Sequence, residues 1–363
     1  FEMRLCVLAL CLLHAVYSVS QARSESLAYQ QLTGYANSSA DPCESLYLYG
    51  CGGWLEKNEI PPDQSRYMPF NVLVEDVENK LRALLESEEK SSLEIIETTR
   101  AYFKSCLDEE SIETESAKFV IDDLLRISRW PIVEAECSIS DNFDLTAVLA
   151  EAAKHRVFPL VDVYASTDKK NATRKILYID QPSFFLESRD YYLQSEHASN
   201  VQAYRQFIAE KARLFAEQLD IWVDEEENDL SASRVVDFET QLANISEPAE
   251  NRRDHERMYN LHTVAQLQAK FPIVDWRRFF SLIAPEDMKE YFDGSLEVIV
   301  REVKYLGQLG ELLKTMNTCT LTDYVLFRTS ESHNLALPQR FRDARYRFDQ
   351  KVYSLQEAPP HWK

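Results

Sequence analysis

The sequence predicts a mainly α-helical protein: a large multi-helix domain with a small β-hairpin element. Three observations predict it. Apolar residues recur at three- and four-residue steps over long stretches. Glycine is scarce, seven in 363 residues, which suits a helical array with few turns that need φ > 0. A single segment, 157–180, carries two β-prone runs around a polar tip.

The elements follow in order. Met3 and Arg4 lead into the apolar run LCVLALCLLHAVY (5–17), then small residues with an exit after Ser20 or Ala22. This is the pattern of a secretory signal peptide over 1–22. The run is shorter than the roughly 20 residues of a membrane span. A short uncleaved signal anchor, which would leave a membrane-anchored ectodomain, is the alternative to a secreted protein. Phe1 and Glu2 precede the methionine, so the chain reads as a conceptual translation. An N-terminal segment, 23–40, comes next, and 41–363 reads as one helical region without repeat, low-complexity tract or linker.

Secretion gives meaning to other residues. Asn37 (NSS), Asn171 (NAT) and Asn244 (NIS) become glycosylation sites. Removing the leader discards Cys6 and Cys11 and leaves five cysteines: Cys43, Cys51, Cys106, Cys137 and Cys319. An odd count in an oxidising compartment points to a free thiol, an intermolecular bond or missing chain.

Three of the seven glycines crowd around Cys51 in DPCESLYLYGCGGW (41–54). Asp41 can cap a helix, Pro42 suits its first position, Glu44 can bond back to the cap, and Gly50 suits the position past its end. A helix from Pro42 to Tyr49 would hold Cys43 and Cys51 about 10 Å apart, beyond the ~7 Å reach of a disulfide. Each then needs a sulfur from elsewhere, with Cys106, Cys137 and Cys319 remaining, and the glycines let the chain turn beside the crosslink.

In MPFNVLVEDVENKLRALLESEE, Phe70, Leu73, Val74, Val77, Leu81, Leu84 and Leu85 form one helical stripe. SSLEIIETTRAYFKSCL has a capping box of Ser91 with Glu94, and a stripe of Leu93, Ile96, Phe103, Cys106 and Leu107. Further helices are expected at about 144–155, 200–219, 229–245, 262–270, 296–316 and 338–354. Between them, 157–165 and 175–180 read as a hairpin with a long loop.

The net charge of −20 and pI near 4.9 exclude nucleic acid as a partner, because phosphates demand Lys/Arg surfaces. They exclude docking on anionic lipid for the same reason. The acidic surface reads as a solvated one.

At this point the residues carry a resemblance. DPC…YLYGCGGWLEKNEIPPDQSRYMPF resembles the start of the ectodomain in the neprilysin family, zinc metalloendopeptidases that include the endothelin-converting enzymes. The likeness continues in order through AYFKSCLDEESIE, ILYIDQPSFFLESRDYYL, NRRDHERMYNLHTVAQLQ and RFRDARYRFDQKVYSLQEAPPHW, covering about 41–362. The resemblance implies that Cys43 and Cys51 bond to a far C-terminal region belonging to a catalytic domain. It implies that Cys106 bonds to a cysteine just after the position of Trp362, so all three would have partners beyond Lys363. Cys137 and Cys319 match no family cysteine, and their pairing stays open.

The resemblance further implies zinc held by two His of H-E-x-x-H and a Glu of E-N-x-x-D, with the motif Glu as general base. This sequence has neither motif in usable form. HERMY (255–259) has Tyr259 at the second His position, and only i, i+4 spacing on a helix aims two imidazoles at one metal. ENRRD (250–254) imitates the third-ligand segment but precedes HERMY directly. His155, His197, His262, His333 and His361 are scattered, with no pair at helical spacing, so the chain is expected to bind no metal and to contain no catalytic residue. No thiol reads as an activated nucleophile, no G-x-S-x-G elbow is present, and SRDYY (188–192) reads as a turn beside the hairpin. Arg66 in QSRYMPF falls where the family places an arginine for the substrate's terminal carboxylate, a task for a bidentate guanidinium.

The expectation is an N-terminal, non-catalytic region of a secreted neprilysin-like zinc endopeptidase, with the zinc catalytic domain absent from the chain and the chain inactive alone. Complete, it would hydrolyse oligopeptides on the amino side of hydrophobic residues. The alternative is a naturally truncated, inactive secreted protein that binds peptides or partners.

Overall fold

The computed structural model describes residues 29, 33–115, 117–139, 143–292 and 295–360. The leader expected over 1–22 lies outside the described residues, as do Cys6, Cys11, His361 and Trp362. The chain divides into two compact units: residues up to Arg82 with Gln356–Pro359, and Ala83–Leu355 with the residues from Pro360.

The first unit holds α1 (Leu46–Leu55) and most of α2 (Pro69–Glu86). The helix expected over Pro42–Tyr49 is displaced, because Ser45 outcompetes Asp41 as its cap. The Ser45 Oγ accepts from the Leu48 N–H at 3.2 Å, while Asp41 Oδ1 accepts from the Cys43 N–H at 2.8 Å within a turn. Gly50, Cys51, Gly52 and Gly53 therefore lie inside the helix, and the glycines serve close approach instead of turning. A Cβ at Gly53 would stand 2.5 Å from the Ala36 carbonyl oxygen, and one at Gly52 2.8 Å from the Asn37 Cβ. Segment 34–37 thus lies directly on the helix, whose buried Trp54 stacks on Tyr67 at 5.8 Å. In α2 no residue is buried, and the stripe Phe70, Leu73, Val74, Val77, Leu81, Leu84 is exposed.

The second unit begins with α3 (Glu94–Leu107), later than the capping box predicts. Ser91 Oγ accepts from the Leu93 N–H at 3.2 Å, and it is Glu97, one turn on from Glu94, that reaches back to the Ser91 N–H at 2.8 Å. Then come α4 (Glu109–Glu115), α5 (Lys118–Ile127), α6 (Pro131–Glu134) and α7 (Leu145–Lys154), the last capped by Asp144. The hairpin is β1 (Asp162–Asp168) and β2 (Asn171–Asp180), joined tightly at Lys169–Lys170 without the long loop expected. After α8 (Asp190–Leu193) run two long helices, α9 (Ala198–Gln218) and α10 (Glu225–Ile245). They are followed by β3 (Asn260–Thr263), α11 (Val264–Lys270) and α12 (Trp276–Ile283). The helix expected over 296–316 opens instead as a strand, β4 (Glu297–Val300), and becomes helical only in α13 (Val303–Thr315). The β-branched run Val298, Ile299, Val300 is fully buried between two strands, which favours an extended backbone. The unit closes with α14 (Thr318–Ser330) and α15 (Gln339–Tyr353).

The sheet order is β1-β2-β4-β3: antiparallel, then parallel between β2 and β4, then antiparallel. The fold is mainly α with a small sheet, as the sequence predicts. Its core lies where α9, α10, α14 and α15 pack. There Phe185, Tyr204, Phe207, Phe327 and Phe348 form one aromatic cluster with centroids 4.5–6.3 Å apart. Such offset and edge-on pairs add to the gain from burying rings this large.

Candidate functional site

The two motif look-alikes fall in a charged network at the sheet. HERMY forms a turn, not a helix, so His255 and Tyr259 do not share a helix face. His255 Nδ1 lies 3.0 Å from Lys169 Nζ, Glu256 pairs with Lys170 at 2.6 Å, and the Tyr259 hydroxyl donates to Asp168 at 3.0 Å. In ENRRD, Arg252 bridges the buried Asp180 (2.6 Å) and the buried Glu302 (3.2 Å), with Arg301 and Arg257 completing the pairs. These carboxylates are neutralised by guanidiniums, a structural arrangement that leaves no oxygen-rich cradle for a cation. The family's catalytic zinc ligand set does not fit these residues.

The other predicted site residues are dispersed. Arg66 is exposed in the loop before α2, Cys43 is exposed in the turn before α1, Cys51 is exposed on α1, and Cys106 is exposed on α3. Cys137 and Cys319, whose pairing the sequence left open, form a disulfide with Cα atoms 5.8 Å apart. Asn171 stands exposed at the hairpin tip, its Oδ1 accepting from the Thr173 hydroxyl at 2.6 Å. Asn244 is exposed on α10, but its Ser246 is buried and donates to the Leu242 carbonyl at 2.8 Å. Asn37 donates from its side chain to Glu56 at 3.2 Å. SRDYY forms the turn entering α8, with the Arg189 side chain on the Ala243 carbonyl at 3.2 Å and the buried Tyr192 hydroxyl accepting from the Leu186 N–H at 3.0 Å.

Beside the disulfide lies a cavity of about 590 Å³, lined by Cys137, Trp222, Asn228, Arg234, Cys319 and Asp323 among others. Asp323 is buried, and its Oδ1 accepts from the Ile132 N–H at 2.8 Å. Burial pushes its carboxyl from the ordinary 3.8 to about 7, against the pull of that N–H and of Arg234. Asp224 and Glu227 also line the cavity. A carboxyl whose proton is held more tightly in the folded state costs stability as pH rises from about 4 through 7. Asp323→Asn keeps an oxygen for the Ile132 N–H and removes that penalty. The variant is expected to exceed the parent at pH 8 by up to roughly 4 kcal/mol, with the gain vanishing near pH 4; a gain independent of pH in thermal melts would contradict it.

One cluster was not legible in the sequence. Asp123 on α5, His155 capping α7 and His333 in the 3-10 turn Glu331–Ala336 converge. His333 Nε2 lies 3.2 Å from His155 Nδ1 and 3.9 Å from Asp123 Oδ2, and His155 Nε2 lies 3.6 Å from the same oxygen. Burial, then the neighbouring His155, hold the His333 imidazole below the usual histidine range, with Asp123 opposing. The histidines are 178 residues apart in sequence, so no local spacing marks them.

The comparisons with known proteins agree with this fold. The family model described as peptidase family M13, an N-terminal-region model, matches residues 42–363. Neprilysin-11 of Caenorhabditis elegans is 31% identical over 331 residues, 90% of this chain and 39% of that protein. Endothelin-converting enzyme 1 of Homo sapiens is 31% identical over 358 residues, 98% of this chain and 44% of that protein. The chain thus spans about two-fifths of the length of these curated relatives. Among solved structures, the Mycobacterium tuberculosis zinc metalloprotease Zmp1 superposes with a TM-score of 0.75 at 23% identity, covering 90% of this chain and 48% of that one. PepO of Lactobacillus rhamnosis gives 0.67 at 18% identity over 89% and 48%. With the family model covering nearly all of it, this chain belongs to peptidase family M13.

Proposed function

We propose that this chain is the non-catalytic N-terminal region of a larger zinc endopeptidase that hydrolyses oligopeptides, on the amino side of hydrophobic residues as its relatives imply. The observation that carries this reading is the match to an N-terminal-region model along 42–363 in a chain without an H-E-x-x-H motif. Relatives more than twice as long supply the room for a catalytic half. The unburied apolar stripe of α2 supports it independently, because an amphipathic helix of 18 residues gains its stability by covering that face. The exposed thiols of Cys43 and Cys51 fit crosslinks to such a half, with Cys106 as a third.

In the complete enzyme the helical region walls one side of the substrate chamber, and Arg66 engages the free carboxylate of a short peptide through its guanidinium fork. The zinc belongs to the catalytic half. Secretion is part of the proposal; the Cys137–Cys319 disulfide suits an oxidising compartment, and glycans are placed most readily on Asn171, then Asn244 and Asn37. No helix among the described residues is long and apolar enough to cross a membrane.

Hydrolysis of a quenched fluorescent oligopeptide tests this. The purified chain alone is expected to be inactive, and the complete polypeptide to cleave it in a chelator-sensitive way. Chelator-sensitive cleavage by the chain alone would overturn the proposal. So would a folded complete polypeptide that binds the peptide without cleaving it.

A further inference from the structure

We propose that Asp123, His155 and His333 form a binding site for a divalent transition metal of the zinc class. One ligand atom from each residue can be chosen so that all three lie within 4.8 Å of one another. Ligands of a tetrahedral zinc, bound at about 2.1 Å, stand roughly 3.4 Å apart. The separations of 3.6 Å and 3.9 Å from Asp123 Oδ2 to His155 Nε2 and His333 Nε2 lie within about half an ångström of that value. His155 turns its Nε2 to Asp123 and its Nδ1 to His333, so binding requires a side-chain rotation that brings one of these nitrogens to the ion.

The donor set is chemically specific. Two imidazoles with one carboxylate suit zinc and its first-row neighbours, whereas calcium and magnesium prefer oxygen alone. Asp123 divides its oxygens: Oδ1 lies 3.7 Å from Arg126 on the exposed side, and Oδ2 faces the histidines. Besides Arg126, the cation that bears on the site is Lys211, buried against Glu331, whose other oxygen pairs with Arg345 at 2.7 Å. Glu331 and Asp349 together offset Lys211 and Arg345, so Asp123 supplies the local attraction for a cation. The three side chains are 17–23% exposed, enough for an ion to enter and for water to take the fourth position.

The three residues come from three elements. A bound ion would tie α5, the end of α7 and the turn after α14 together, stabilising the folded state by linkage. Without an ion, the same atoms form only a hydrogen-bonded His–His pair beside a carboxylate.

The test uses the 363-residue chain without a histidine tag, its accessible thiols alkylated so that Cys43, Cys51 and Cys106 cannot ligate. After dialysis against a chelator, zinc sulfate alone is titrated, and bound metal and melting temperature are read. One zinc per chain and a raised melting temperature are expected. His155→Gln and His333→Gln should each weaken binding at least tenfold, with Asp123→Asn serving if either histidine variant fails to fold. His197→Gln, stacked on Tyr191 and outside the cluster, should leave binding unchanged. A folded parent that binds no zinc once alkylated, or folded ligand variants that bind as the parent does, would overturn the proposal.

Discussion

Glu239→Ala is expected to lower the stability of the chain by about 3–5 kcal/mol, the cost of stranding a buried charge. Glu239 is fully buried on α10, and its Oε1 accepts three bonds. They come from the Phe185 N–H at 3.0 Å, the Tyr324 hydroxyl at 3.1 Å and Arg328 Nη1 at 2.6 Å. One oxygen thus ties α10 to α14 and to the segment leaving the sheet. Burial works to lower the pKa of Arg328, but Tyr324 and Glu239 hold it above the usual arginine range, so the guanidinium stays charged. Truncating Glu239 leaves that cation facing the aromatic core. Glu239→Gln keeps an acceptor for the Phe185 N–H and should cost less. The double variant Glu239→Leu/Arg328→Met should cost less than the sum of its single changes, because neither charge remains. Denaturant unfolding of the parent, Glu239→Ala, Glu239→Gln, the double variant and its two single changes checks this; a loss under 1 kcal/mol for Glu239→Ala would show that the network does not hold the core.

The second large effect is expected from the disulfide. Cys137 and Cys319 are 182 residues apart, and their bond fastens the segment after α6 to the first turn of α14. Closing so long a loop restricts the unfolded chain strongly, and removing a native bond of this kind typically costs 2–5 kcal/mol. Cys137→Ser/Cys319→Ser should lose that amount, and reductant should lower the melting temperature of the parent but not of the variant. Equal melting with and without reductant would contradict the account, as would peptide mapping that recovers Cys137 and Cys319 as separate thiols.

The long amphipathic helices were legible because each has one apolar and one polar face. For α2 the periodic stripe marks the helix fully, and α9, α10 and α15 lie within a few residues of their expected bounds. Burial on every side hid another helix. In α14 eleven of thirteen residues are buried, Thr320, Thr322 and Asp323 among them, so no polar stripe marks its period. β4 lost its signal for a related reason, since a short buried strand beside a helix reads as more helix. At α1 the residues mark the helix but not its register, because Asp41 and Ser45 both make competent caps; the observed register seats Gly52 and Gly53 against segment 34–37.

The candidate sites divide along the same line. Spacing sufficed to recognise HERMY and ENRRD as failed motifs, since their defect is local. The meeting of His155 with His333, and of Cys137 with Cys319, depends on packing between elements far apart in sequence, which no spacing encodes. The family motifs were legible because they lie in one order along the chain, and they carried the reading that the chain is one region of a larger peptidase.

That central claim is tested most directly by reading the transcript beyond the codon for Lys363. The account predicts an open frame continuing into cysteines, then H-E-x-x-H and a later E-N-x-x-D segment. A stop codon directly after Lys363 would contradict it and leave a protein that binds without cleaving.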